Sequence, residues 1–406
     1  MHRFDERTQR MADAVLALYR DVLAPAVISC DSPRFLAFIP AAPTKAALLF
    51  DMIVSCASIS GISWLESAGA VHAENQALRF LCDVAGLPAG AGGVFVQGGS
   101  AANLSALVVA RERARARSLR AGRLRVAVSD QTHSSVANTL RIIDVDPLVV
   151  PADDDHVTAP ALDAALAADP DPESVCAVVA TAGTTNAGLV DDLAGIARVC
   201  GERDLWMHVD AAYGGAALLA PTVRERFAGI EHADSLVIDP HKWLYAPFDC
   251  AALMYREPAF ARTVHAQAAS YLDVIHDPAG EWNPSDYAYQ LTRRARGLPL
   301  WFSLAVNGTD AYRDAVEGVL ATTRGAAARI REHPHLELVR EPELSVVLFR
   351  RSGWSAADYD AWSARLLADQ VAFVTPSRWH GEPVARLAFL HPETTLEIVD
   401  EVLASL

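Results

Sequence analysis

WMHVDAAYG (residues 206–214) and SLVIDPHKW (residues 235–243) each run from a short apolar stretch directly into an ionisable group, Asp210 in the first and Lys242 in the second. Four or five apolar residues in a row, ended by polar ones, read as a strand buried on both faces. A carboxylate at the end of such a strand loses hydration unless a cation meets it. A lysine pressed into an apolar rim should lose basicity, which makes it a usable nucleophilic amine.

Working outward, further strand candidates are 93–97, 124–128 and 175–180, with helical stretches between them at 101–120 and 193–203. Strand and helix alternating at this spacing predict an α/β fold with a mostly parallel sheet covered on both faces. Near the start, 7–23 reads as a helix. After 300 come a long helix at 301–333, strands at 344–350 and 384–389, and helices at 358–369 and 394–406. The expected organisation is an N-terminal arm (1–44), a large domain (45–300) and a small C-terminal α+β domain (301–406).

Of the 406 residues 51% are hydrophobic, enough for a large core, and the formal net charge is −15. That charge argues against a nucleic-acid partner, since phosphate binding needs a basic surface. The basic run at 111–125 fits the solvated end of a helix. The charged first residues carry no signal-peptide pattern, and the apolar stretch 46–62 holds Asp51 and three serines, too short and polar for a membrane span. A cytoplasmic enzyme is expected. The six cysteines form no C-x-x-C pair, so neither a zinc site nor a disulfide framework is read, only buried reduced thiols.

Two more segments close strand candidates. Gln97 to Asn103 (QGGSAAN) follows a strand and opens a helix, where small residues and free N–H groups suit a phosphate. Asp130 to Val136 (DQTHSSV) places His133 just beyond another strand end, on the side of a parallel sheet where ligands sit. Anion site, flat ring, strand-end carboxylate and strand-end amine are together what a phosphorylated pyridine aldehyde needs.

In these segments, and in TAGTT (181–185), HVDAAY (208–213), DPHKWLYAPFDC (239–250), Tyr271-Leu272, RRARGLPLWF from Arg293, FVTP (373–376) and Arg386, the sequence resembles the group II pyridoxal phosphate-dependent decarboxylases. That family acts on aromatic amino acids, glutamate and histidine. The resemblance runs from about Ser32 to the C-terminus. It implies the aspartate aminotransferase-like fold (fold type I) with a seven-stranded sheet, pyridoxal 5′-phosphate as cofactor, and a homodimer with its active site between subunits. Lys242 is then the Schiff-base lysine, Asp210 the partner of the ring nitrogen and His133 the stacking ring. Gly99, Ser100 and Ala101 hold the phosphate, with Asp239 on the phosphate side and His241 beside the lysine, and Thr185 and Ala212 lie near the ring. Tyr271 matches a tyrosine of the family's mobile loop that helps protonate the substrate carbon.

Phe38, Ile39, Ser60 and Ile62 align with the family's side-chain pocket, and His133, Tyr271 and Arg293 are also expected at the substrate. The largely apolar set favours an uncharged substrate side chain, aromatic or bulky and hydrophobic, over glutamate. An aliphatic or unusual amino acid, transamination, aldolytic cleavage, aldehyde synthesis and a catalytically silent homologue remain the alternatives. Two departures stand out. The N-terminal arm is short, and Asp239 stands where aromatic decarboxylases tend to have Asn.

Overall fold

The computed structural model describes residues 6–39, 42–117, 122–275 and 281–406. Its centre is a seven-stranded sheet of β1 (Gly92–Val96), β2 (Arg125–Val128), β3 (Asp146–Val149), β4 (Val175–Thr181), β5 (Trp206–Asp210), β6 (Ser235–Ile238) and β7 (Ala251–Tyr255). The strand order is β1-β7-β6-β5-β4-β2-β3. β7 runs antiparallel to both its neighbours; the pairs from β6 to β3 are parallel.

β4 and β5 are buried along their whole length, as strands covered on both faces must be. Successive side chains enter opposite layers: Phe95 joins one apolar cluster while Val94 and Val96 join the other. Each fully buried Val, Leu or Phe contributes about 1.5–3 kcal/mol of transfer free energy. The register sets Thr181 opposite Asp210 and Asp210 opposite Val237. The carboxyl ends of β4, β5 and β6 therefore open at one level.

A second, antiparallel sheet follows, ordered β10-β11-β9-β8, from β8 (Leu336–Leu338), β9 (Val346–Arg351), β10 (Ser377–Trp379) and β11 (Glu382–Ala388). Helices Ala356–Ala368 and Leu396–Ala404 accompany it. The long helix expected at 301–333 spans Leu298–Glu332 but breaks at Gly308, whose φ of 75° is left-handed. The expected N-terminal helix is α-helical only over Glu6–Leu18 and continues as a π turn, Tyr19–Leu23.

The arginines of the basic run are paired with the chain's own carboxylates: Arg113 with Asp204, Arg123 with Asp144 and Arg125 with Asp169. Cys82, Cys176, Cys200 and Cys250 are buried, and loss of hydration pushes the first three thiols up to about 12. Cys56 is exposed, contrary to the expectation of uniformly buried thiols. Among the described residues no helix is long and apolar enough to cross a membrane.

Candidate active site

The carboxyl ends of β1, β2, β4, β5 and β6 surround a cavity of about 350 Å³. Of the residues singled out from sequence, Gly99, Ser100, His133, Thr185, Asp210, Ala212, Asp239, His241 and Lys242 line it. Gln97, Asn103, Gln131, Ser135, Thr181, Tyr213 and Phe248 line it as well.

Asp210 ends β5 and is buried. Its Oδ1 accepts from Ala212 N at 3.1 Å and its Oδ2 from Asn103 Nδ2 at 2.9 Å. Lys242 follows β6 by a tight turn, its N–H donating to Asp239 O at 2.9 Å. The rim around Lys242 is not apolar as expected: its Nζ lies 3.0 Å from Asp239 Oδ2, forming an ion pair with a carboxylate that is 2% exposed. The same Oδ2 accepts from Gly99 N at 3.2 Å, at the start of the helix Gly99–Arg117. A carboxylate thus occupies a donor that the sequence assigned to phosphate. His241 lies beside this pair; burial depresses its imidazole, opposed by the Asp239 charge and reinforced by Lys242.

His133 caps the helix Ser134–Ile142, its Nδ1 accepting from Ser135 N at 3.2 Å. Nδ1 is therefore committed to its own helix, and Nε2 keeps the remaining hydrogen-bonding capacity. Two glycines let the loops after β4 and β5 meet. Gly183 has φ +113°, and a Cβ there would come within 2.8 Å of the Gly214 backbone.

Ala101 does not line the cavity; its N–H closes a turn onto Gly98 O at 3.0 Å. Arg293, expected at the substrate, is instead a buried structural cation. It pairs with Glu74 at 2.8 Å, the two side chains 0% and 2% exposed, and donates from Nε to Phe95 O at 3.2 Å. Phe38, Ile39, Ser60 and Ile62 also lie outside the cavity lining. Phe38 is exposed, its ring 6.0 Å from that of Phe373, and the half-buried Ser60 donates to Glu66 at 3.3 Å. Arg386 links one of them to the rim, donating to both Phe38 O and Thr185 O. Tyr271 belongs to a 3-10 turn, Ser270–Ile275, but its side chain lies outside the described residues.

A polar guest fits the cavity. Three buried side-chain oxygens on its wall have no hydrogen-bond partner: Gln97 Oε1, Thr181 Oγ1 and Asp239 Oδ1. Buried polar groups normally find partners, so such a cluster marks a place for a polar ligand. At Gly99 a Cβ would stand 3.1 Å from Asp239 and 3.2 Å from Ala212, tight enough to crowd the helix start. Sequence reasoning passed over Gln131, Ser135, Tyr213 and Phe248, which carry no charge at a strand end to flag them.

The chain matches the family description "Pyridoxal-dependent decarboxylase conserved domain" over residues 1–352. It is 31% identical over 381 residues to an aromatic-L-amino-acid decarboxylase of Bacillus atrophaeus, covering 90% of this chain and 79% of the relative. It is 32% identical over 406 residues to an L-2,4-diaminobutyrate decarboxylase of Rhizobium meliloti (strain 1021), covering 97% and 81%. The solved structure of Oryza sativa TDC with PLP and tryptamine superposes with a TM-score of 0.88 at 28% identity, covering 97% of this chain and 88% of that one.

Proposed function

The chain belongs to the pyridoxal-dependent decarboxylases and is a pyridoxal phosphate enzyme that decarboxylates an amino acid; from that premise we propose that its substrate is an L-amino acid with an uncharged, aromatic or bulky hydrophobic side chain. One observation carries the choice. Among the described residues lining the cavity, Asp210 is held by Asn103 and Ala212, and Asp239 meets Lys242 and Gly99 through Oδ2 alone. Lys242 is the lining's one lysine or arginine, and the exposed ring of Phe248 stands at the rim. With Lys242 given to the cofactor, no lysine or arginine of the lining is left to pair with an anionic side chain such as that of glutamate. The aromatic-L-amino-acid decarboxylase relative points the same way, while the diaminobutyrate enzyme shows that the family also takes a cationic substrate.

When bound, pyridoxal phosphate supplies an aldehyde that takes up an amino group and a ring that draws electrons from bonds at the substrate's α-carbon. The roles given to this chain's residues rest on the matching motifs, supported by the cavity that gathers Lys242, Asp210 and His133. Lys242 offers the amine that holds the cofactor between turnovers. Asp210 holds a proton at the ring nitrogen, which sustains the pull on electrons. His133, on the cavity wall, would stack on the cofactor's ring. The floor of the cavity, with Asp210, Ala212, Tyr213 and Asp239, is buried, and a water-poor floor favours leaving of a charged carboxylate as neutral carbon dioxide. Tyr271, which matches the family's loop tyrosine, would return a proton to the substrate's α-carbon.

The working form is a cytoplasmic homodimer. Met11, Val15 and Leu16 near the N-terminus and Leu49, Met52 and Ile53 on the helix Lys45–Cys56 are exposed apolar residues of the kind a partner covers. The six cysteines form no disulfide, which suits a reducing compartment.

The test is incubation of the enzyme, saturated with pyridoxal phosphate, with pooled amino acids of every side-chain class. Mass spectrometry should show an aromatic or bulky apolar member losing one carbon dioxide. Loss confined to glutamate, diaminobutyrate or another charged member would overturn the substrate reading. Transfer of the amino group without gas release would overturn the reaction.

A further inference from the structure

Asp210 stands at the end of a buried chain of hydrogen bonds that begins inside the sheet. Trp206 Nε1 donates to Ser235 Oγ at 2.8 Å. Ser235 Oγ lies 2.8 Å from His208 Nδ1, and His208 Nε2 lies 2.9 Å from Asn103 Oδ1. Asn103 Nδ2 then donates to Asp210 Oδ2 at 2.9 Å. Every member is at most 6% exposed, His208 and Asn103 fully buried.

With a neutral His208, the ends fix every proton between them. An indole N–H only donates and a carboxylate only accepts. Asn103 must turn its amide N–H toward Asp210, so its oxygen faces His208 and accepts. His208 must then carry its proton on Nε2 and present a bare Nδ1 to the Ser235 hydroxyl. Burial favours that neutral imidazole, lowering His208 to about 4 against the raising effect of the nearby Asp210 charge. The second Asn103 N–H goes to Ser135 Oγ at 3.0 Å, which lies 2.9 Å from His133 Nδ1. One amide therefore ties together the carboxylate and the imidazole that face the cavity.

We propose that Asn103, His208 and Ser235 are positioning residues that hold the Asp210 carboxylate in one orientation, as a pure acceptor aimed at the cofactor's ring nitrogen. Neutrality is the point of the design. A lysine or arginine at Asn103 would orient Asp210 but cancel its charge, while a neutral donor orients it and leaves the charge for the ring. The proposal rests on the reading of Asp210 as the ring nitrogen's partner.

The test uses full-length enzyme loaded with pyridoxal phosphate carrying 15N in the ring, compared across Asn103→Leu, Ser235→Ala, Ser235→Thr and Asp210→Asn. In Asn103→Leu the 15N signal should move toward that of the unprotonated ring. Its kcat should fall about 10- to 100-fold, the effect of losing one hydrogen bond to a charged group, with KM little changed. Ser235→Ala should move the signal the same way, and Ser235→Thr, which keeps the hydroxyl, should restore it. If Asn103→Leu does not fold, Ser235→Ala, which removes a single oxygen, decides. Wild-type 15N signals in Asn103→Leu and Ser235→Ala, with a moved signal in Asp210→Asn, would overturn the proposal. A signal unmoved even in Asp210→Asn would overturn the Asp210 reading beneath it.

Discussion

Replacing Arg293 with methionine distinguishes a structural cation from a substrate ligand. The Arg293 guanidinium donates to both Glu74 oxygens at 2.8 Å, to Phe95 O at 3.2 Å and to Gly61 O. The two side chains are 0% and 2% exposed, so Arg293→Met strands a buried carboxylate. Removing one partner of such a pair costs about 3–5 kcal/mol. Glu74 Oε1 also accepts from Gly297 N at 2.8 Å, just before the helix Leu298–Glu332, so the damage should reach that junction. In urea unfolding the variant should lose about that much stability, while KM at a temperature where it stays folded should be unchanged. Adding Glu74→Gln should recover much of the loss, because a neutral amide still accepts from Gly297 and no longer strands a charge. Native stability together with a raised KM would refute this and return Arg293 to the substrate, where the sequence pattern had put it.

Two other perturbations follow from the same geometry. Asp239→Asn removes a carboxylate from the donor Gly99 N and from the cavity wall; titration of the apoenzyme should show the Kd for pyridoxal phosphate falling about tenfold, about 1.4 kcal/mol, and an unchanged or weaker Kd would contradict the assignment. The link between His156 and Glu343, 2.8 Å long, should shape the pH dependence of stability. The hydrogen bond to Glu343 raises His156 above the ordinary histidine value, against burial, so its contribution is present below that value and lost as pH rises through the folded one. For Glu343 burial alone would raise the carboxyl, but His156, the Val190 N–H and Arg226 lower it on balance. That contribution is present above the ordinary carboxylate range and lost as pH falls through the lowered value. The Tm should therefore peak between these limits and decline above the histidine range, and His156→Gln should flatten the alkaline decline; an equally steep decline in the variant would refute the link.

The strands that carry the site were legible because each is a run of β-branched or apolar residues closed by a polar motif, and β6 falls on 235–238 as read. β3 was missed: Asp146-Pro-Leu-Val is only partly apolar and contains a proline, which a strand at the sheet's edge tolerates. β7, directly after the motif that ends at Cys250, was not read as a strand, and nothing in AALMY (251–255) announces one that runs against its neighbours. Lys242, Asp210 and His133 were readable as residues, but their partners were not. The Asp239–Lys242 pair joins two residues of one turn, whereas Asn103 reaches Asp210 across 107 positions. Arg293 shows the opposite error, a charge in a matching motif that the fold consumes internally.

The central claim is that Lys242 holds the cofactor, and the chain makes it unusually easy to test because its only lysines are Lys45 and Lys242. Lys45 is exposed at the start of the helix Lys45–Cys56, outside the cavity lining. Borohydride reduction of the enzyme saturated with pyridoxal phosphate fixes the cofactor to whichever amine holds it, and peptide mapping by mass spectrometry finds that amine. The label should fall on the peptide containing Lys242. A label on Lys45 or the N-terminal amine instead, or none on Lys242 in a protein that has turned yellow, would contradict the account.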